Sequence, residues 1–407
     1  MKNKFYLNLM LFSFIVIFSV NYKFLIEKSR GYLFLLENKP DITLIGRVKM
    51  ADGLGRLLVE LLDELSDKYK VSVCSYDNDL SSVPKRLHKL IKYQNPKSLG
   101  KYLIYLDPIW LPRHSMSVKD IIPKNKNLDC IRIAYSMAES SQICDEWVFI
   151  INSYFDYCLV PDSYYVDVYK NSGVNIPIFS VPLGTNLNDY LKAEIKEKSH
   201  KRFTFGNSSA LIDRKNIGLL IEAFINVFGD NPDVILKINA RNKDSEIENK
   251  IRTLSKNNIN KNIYLNVEEL SQNEYLRFMS SLDCFVNISK GEGFSIQPRE
   301  AMALGMPVIC SDNTAQKTLC NTQLIKTVKS DISEPAYYWY TKRYHGEQYT
   351  CKVEDVEKAL VDVYQNYSEH LKLAQRRREY AREFTSKKFA ERIISFIEQI
   401  EQSNEIH

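Results

Sequence analysis

Residues 291–312 read GEGFSIQPREAMALGMPVICSD. Two glutamates, Glu292 and Glu300, stand in this stretch with seven residues between them. The first lies in a glycine-bracketed turn and the second in an Ala/Met/Leu run of helical character. The apolar run SLDCFVNIS (281–289) precedes the turn, and PVICS (307–311) follows the helix. Strand, turn, helix and strand form one α/β unit, and open parallel sheets gather ligands at the carboxyl ends of their strands. Glu292 therefore falls where such a unit does its chemistry.

Outside this unit the same alternation recurs. FTFGN (203–207), VILKINA (234–240) and NIYLN (262–266) are short strands of buried type. Between the first two, Ile217, Leu220, Ile221, Phe224, Val227 and Phe228 share one helix face. Nearer the amino terminus a second set reads ITLIG (42–46), VSVCS (71–75), KYLIYL (101–106), CIRIAY (130–135), YCLVP (157–161) and PIFSVPL (177–183). Between the sets, residues 182–201 pass from PLGTNLNDY into the charged run KAEIKEKSHK, which reads as a link. The pattern predicts two Rossmann-like domains, 40–185 and 200–385.

Gly53 and Gly55 precede the first helix, whose Leu57, Leu58, Leu61, Leu62 and Leu65 mark one face. They predict a loop able to approach a ligand at the positive end of a helix dipole, although a plain strand-to-helix turn would use them too. Arg214 and Lys215 stand at a helix start, where cations oppose the dipole unless an anion is near. A diphosphate would satisfy both, one as a fork and one as a point charge; two solvated cations are the alternative.

The 407 residues suffice for two domains, and an apolar share of 44% is that of a globular protein. A net charge of +5 suits an anionic ligand or a membrane surface and falls short of a nucleic-acid footprint. The eight cysteines form no CxxC pair and no His-Cys metal spacing, which favours a reduced compartment. Asp77-Asn78-Asp79 has carboxylate spacing used for metals, but it sits among turn formers with no third ligand, so no metal site is expected. His114 reads as a surface-loop residue.

Phe5 to Val20 is almost wholly apolar, slightly short for a span, and lacks a small-residue cleavage site on exit. Residues 1–30 are expected to be a hydrophobic anchor or interfacial segment. The lysines and arginine that follow favour a cytoplasmic body, hence a membrane-associated protein with cytoplasmic catalytic domains. Near the carboxyl terminus, Arg376, Arg377, Arg378 and Arg382 crowd one turn and read as a solvated face.

Taken together the residues resemble the GT-B glycosyltransferases of family 4, glycosyl transferases group 1, a retaining group with an E-x7-E signature. The resemblance rests on Gly291-Glu292-Gly293-Phe294, Pro298, Glu300-Ala301-Met302-Ala303, Gly305, Pro307-Val308-Ile309 and Ser311-Asp312. Arg214-Lys215-Asn216 and the run from Val160 to Asn186 support it, and Tyr135–Glu139 with Glu146-Trp147 resembles an acceptor-domain segment.

This resemblance implies an α/β GT-B fold, two Rossmann-like domains facing across a cleft, with the 386–407 helix packing back on the first. It implies a nucleotide-diphosphate sugar as donor, without metal or other cofactor. Glu300 would hydrogen-bond the ribose and Glu292 would lie near the transferred sugar as the catalytic carboxylate. Backbone N–H groups of Phe294 and Ser295, with Arg214 and Lys215, would meet the distal phosphate. Gly53 and Gly55 would let the N-domain loop close over it, and Glu139 would lie on the acceptor side. The implied reaction is hexosyl transfer with retention to a cell-surface glycan or lipid-linked saccharide, as in polysaccharide biosynthesis. Two departures stand out: Ser209 occupies a position where many relatives carry arginine, and the cleft histidine of many relatives has no match. A nucleotide-sugar epimerase of the same fold, or a degenerate nucleotide-sugar binding module, are the alternatives.

Overall fold

The structure, a computed structural model, describes residues 39–405 except 51, 78, 94–98, 107–129, 230, 241–247, 250–252, 254–261 and 339–340. The segment 1–30, Asn78 and His114 thus lie outside the described residues. Among the described residues no helix is long and apolar enough to cross a membrane.

Strands β1 (Ile42–Gly46), β2 (Val71–Ser75), β3 (Ile91–Tyr93), β4 (Tyr102–Tyr105), β5 (Ile131–Tyr135), β6 (Tyr157–Val160) and β7 (Ile178–Ser180) form one parallel sheet. Its order is β3-β2-β1-β4-β5-β6-β7. Strands β8 (Phe203–Ser209), β9 (Val234–Ala240), β10 (Ile263–Asn266), β11 (Cys284–Asn287), β12 (Val308–Ser311) and β13 (Lys326–Val328) form a second, in the order β10-β9-β8-β11-β12-β13. A parallel sheet is covered on both faces, which is why β1, β8 and β11 are buried at every position. The helix Gly53–Ser66 covers one face of the first sheet with its buried leucine stripe. In the second, Ile217–Phe228 does the same with Leu220, Ile221 and Phe224.

Beyond β13 an antiparallel hairpin, β14 (Ile332–Tyr338) and β15 (Arg343–Thr350), leans onto the first domain. Ser141 N–H donates to the Glu347 carbonyl at 3.0 Å, and the Tyr338 hydroxyl meets Ser140 Oγ at 2.6 Å.

The chain crosses between domains twice at one place. Thr185 N–H donates to the Phe384 carbonyl at 2.9 Å, and Ser386 N–H donates to the Thr185 carbonyl at 2.8 Å. A Cβ at Gly184 would overlap the Thr385 backbone, so only glycine lets the two passages run this close. After the second passage the helix Ser386–Glu405 lies on Gly53–Ser66. Its Phe389, Ile393, Ile397 and Ile400 are part of the first domain's core.

The arginine cluster departs from the solvated face expected of it. Arg377 and Arg378 are buried in the helix Ala374–Arg382. Arg377 donates to the carbonyls of Leu324 at 2.7 Å and His370 at 2.8 Å, and Arg378 to those of Ala303 at 3.1 Å and Ala193 at 2.7 Å. Ala303 ends the helix that bears Glu300, so this cation sits where a helix leaves carbonyls unpaired. Asp79 serves a local turn, accepting from Ser81 N–H at 2.8 Å, while Asp77 accepts from the distant Val48 N–H at 2.8 Å.

Candidate active site

The turn after β11 is shaped by what it touches. A Cβ at Gly291 would overlap the Glu139 carbonyl oxygen, and one at Gly293 would press on that of Ala138. Both glycines therefore let the turn lie against the first domain. Glu292 N–H donates to Thr314 Oγ1 at 2.8 Å, and the Glu292 carbonyl accepts from the Tyr165 hydroxyl at 2.9 Å. Backbone contacts from both domains thus hold the residue while its side chain is left for the cleft. Ser295 then takes a left-handed φ of 69°, unusual for a residue with a Cβ, and turns the chain into the helix Ile296–Ala303. The Phe294 ring is buried, with the Arg299 guanidinium 3.7 Å from its centroid.

Arg214 and Lys215 belong to a short 3-10 turn, Asp213–Lys215, and Asn216 at φ 57° redirects the chain into the helix Ile217–Phe228. Their side chains turn to Glu292. Lys215 Nζ pairs directly with Glu292 Oε1, and Arg214 Nη1 lies 3.5 Å from Oε2. Arg214 also donates to the Gly291 carbonyl and pairs with Glu139 Oε1 at 3.2 Å. Burial alone would raise the Glu292 carboxyl, but Lys215 and Arg214 outweigh it and bring it down to about 2. Glu292 is an anion across the neutral range and has no proton to donate there. The anion that satisfies these cations in the structure is this carboxylate.

Glu300 is buried on the next helix, in the same cleft but among different partners. Arg56 of the first domain donates to its Oε1 at 2.7 Å, and the Tyr275 hydroxyl to its Oε2 at 2.9 Å. Arg56 also donates through Nε to Glu60 at 2.8 Å, and Glu60 accepts from Asn186 N–H at 2.7 Å.

Two adjoining hollows occupy the cleft. One, of about 690 Å³, is lined by Gly53, Arg56, Asn239, Leu270, Tyr275 and Glu300, among others. The other, of about 1300 Å³, is lined by Glu139, Trp147, Arg214, Lys215, Glu292 and Ser295, among others. Gly53, Ile296 and Gln297 border both, so a long ligand could lie across them.

The structure brings Glu292, Glu300, Arg214, Lys215, Phe294, Ser295, Gly53 and Glu139 to one cleft. Gly55 is the exception and corrects the expectation of a two-glycine ligand loop. The helix begins at Gly53, which puts Gly55 in its first turn under the Lys49 backbone, where a Cβ would overlap. The missing side chain lets the helix pack against the Lys49 backbone. Ser209 is buried and donates to Asn207 Oδ1 at 2.8 Å. Among the described residues no histidine lines either hollow. Reading the sequence missed Arg56, Glu60 and Tyr275; Arg56 follows Gly55 directly, yet nothing local marks a partner 244 residues away.

Residues 191–323 match the family model of glycosyl transferases group 1. An uncharacterised glycosyltransferase of Methanocaldococcus jannaschii is 31% identical over 155 residues, 38% of this chain and 36% of that protein. The matched part thus spans about a third of the curated relative. Among solved structures, HepE of Anabaena in complex with UDP and glucose superposes with a TM-score of 0.67 at 10% identity, covering 88% of this chain and 99% of its own. A glycosyltransferase of Rickettsia africae gives 0.67 at 14% identity over 89% and 99%. Sucrose-phosphate synthase of Thermosynechococcus elongatus gives 0.65 at 14% identity, also over 89% and 99%. At these identities the likeness is one of fold: two parallel-sheet α/β domains of the GT-B type.

Proposed function

We propose that the protein is a glycosyltransferase that moves a sugar from a nucleotide-diphosphate donor to a saccharide or lipid-linked acceptor, with retention and without metal. The observation that carries this reading is the arrangement of the two glutamates. Glu292 lies beside two cations in one hollow, and Glu300 lies in the adjoining one with unlike partners. A nucleoside fits the Glu300 hollow, where a buried carboxylate accepts from two adjacent ribose hydroxyls. Its diphosphate then reaches Arg214, Lys215 and the N-terminal turn of the helix Ile296–Ala303, which favours anions. Fixed cations and N–H groups would stabilise the leaving diphosphate as charge develops. Glu292, held ionised, would supply negative potential beside a developing oxocarbenium ion. Its low proton affinity fits this electrostatic role better than that of a general acid. Tyr135, Met137, Trp147 and Glu139 line the remaining wall, where the acceptor would enter.

Family and fold support this reading: the group 1 match covers both glutamates, and fold neighbours hold UDP or UDP-glucose. A uridine-linked hexose is therefore the first donor to try. We further propose a membrane-associated enzyme of polysaccharide biosynthesis with its catalytic domains in the cytoplasm. The apolar 5–20 stretch supports this, as do the exposed Lys70, Lys89 and Lys92, which line one hollow together with Pro40.

Incubation with a panel of nucleotide sugars, with and without acceptor extracts, tests the reaction by nucleotide diphosphate release. Release with one donor is expected; none with any donor overturns the reading. Within it, Glu300→Ala raises the donor KM, whereas Glu292→Ala lowers kcat with little change in KM. Wild-type kinetics in both variants would remove these residues from the site.

A further inference from the structure

Arg56 is the first domain's contribution to the neighbourhood of Glu300. Its side chain is 16% exposed, against 1% for Glu300 and 9% for Glu60, so three charges share a nearly dry site. One guanidinium serves two carboxylates: Nη1 reaches Glu300 Oε1 at 2.7 Å and Nε reaches Glu60 Oε1 at 2.8 Å. Glu60 is itself anchored at 2.7 Å by the backbone of Asn186, next to the first domain crossing. Tyr275 holds the other Glu300 oxygen, while Tyr190 and Asp189 are the other titratable groups near this set. Glu269 lines the same hollow.

A carboxylate offers about four lone-pair sites. Arg56 and Tyr275 take one each and fix the plane of the group, which leaves acceptor capacity directed at the hollow. Removing the guanidinium would leave both carboxylates without the donor they share and free Glu300 to turn.

We propose that Arg56 is a positioning residue for the donor site: it holds the Glu300 carboxylate oriented to receive the ribose hydroxyls, so that the first domain completes the nucleoside pocket of the second. The proposal rests on the glycosyltransferase reading above. It makes Arg56 act through Glu300, with no contact to the transferred sugar. It also ties nucleotide affinity to a contact between the domains, since Arg56 and Glu300 come from different ones.

The test is calorimetric binding of UDP and of 2′-deoxy-UDP to the full chain, wild type, Arg56→Met and Arg56→Lys, all at pH 8. Wild type is expected to bind UDP and to lose affinity for the deoxy ligand. Arg56→Met is expected to bind UDP about tenfold more weakly, the scale of one charged hydrogen bond. The penalty for the missing 2′-hydroxyl shrinks in this variant, since that hydroxyl now meets a misplaced partner. Arg56→Lys, which keeps a charged donor beside Glu300, restores part of the affinity and of the deoxy penalty and guards against a methionine variant that fails to fold. A methionine variant with an unchanged deoxy penalty would assign Arg56 to folding alone and overturn the proposal. Tighter UDP binding in that variant would make Arg56 a plug and overturn it as well. No uridine nucleotide binding to wild type, followed by the same result with GDP and ADP, would instead overturn the reading on which it stands.

Discussion

Glu292 shows what a buried charge does for its surroundings. Its carboxyl is lowered from an ordinary 4.5 to about 2 because Lys215 and Arg214 favour the ionised form more than burial opposes it. A group so depressed stabilises the fold fully above pH 4.5 and loses that contribution as pH falls toward 2. The size is about 3 kcal/mol, from the cost of one pKa unit. Glu292→Gln removes this contribution and leaves Lys215 buried beside a neutral amide. Urea unfolding at pH 7 should find the variant less stable by about 3 kcal/mol, with the gap to wild type narrowing as pH is lowered toward 2. A gap of constant size would mean that the pair carries no such charge. At this scale the sequence was informative where chemistry is local. Glu292 and Glu300 lie in one strand-turn-helix unit, so spacing alone exposes them, and Arg214-Lys215 stands out because cations at a helix start need an anion. What spacing cannot convey is the identity of that anion, which here is Glu292 itself, or the partnership of Glu300 with an arginine from the other domain.

Elements explain the arginine cluster. Arg376 is exposed on the helix Ala374–Arg382, while its neighbour Arg377 is fully buried and donates to carbonyls at the ends of other segments. Arg377→Met should cost about 3 kcal/mol, since carbonyls desolvated by the fold lose their donor. Arg376→Met should stay within about 0.5 kcal/mol of wild type. Chemical denaturation of both variants checks the contrast, and equal effects would sink it. Four arginines in seven residues read as a solvated face because composition carries no information on which side is covered. The same limit hid β3 and β13, each three residues long and too short for a period to show. The hairpin Ile332–Thr350 escaped for another reason: its residues alternate poorly, and its partners are the distant Ser140 and Ser141. Strands of four or more apolar residues, by contrast, are legible because a parallel sheet buries both their faces.

On the scale of the whole molecule, two domains were legible from two series of strands split by a charged link, and the fold neighbours share that organisation. The boundary between them is less simple than a link. Four large apolar side chains of the last helix, Phe389, Ile393, Ile397 and Ile400, are buried in the first domain. At 1.5–3 kcal/mol per buried side chain they contribute roughly 8 kcal/mol, comparable with the net stability of an ordinary domain. A chain ended after Arg382 should therefore keep slow hydrogen exchange in β8–β12 and lose it in β1–β7. Protection retained in both sheets would show that the helix is dispensable. The closing helix also gives the protein an order of birth. Synthesis runs from the amino terminus, and domains ordinarily fold as they emerge. Here the first domain must wait, with an apolar face uncovered, until residues 386–405 have left the ribosome.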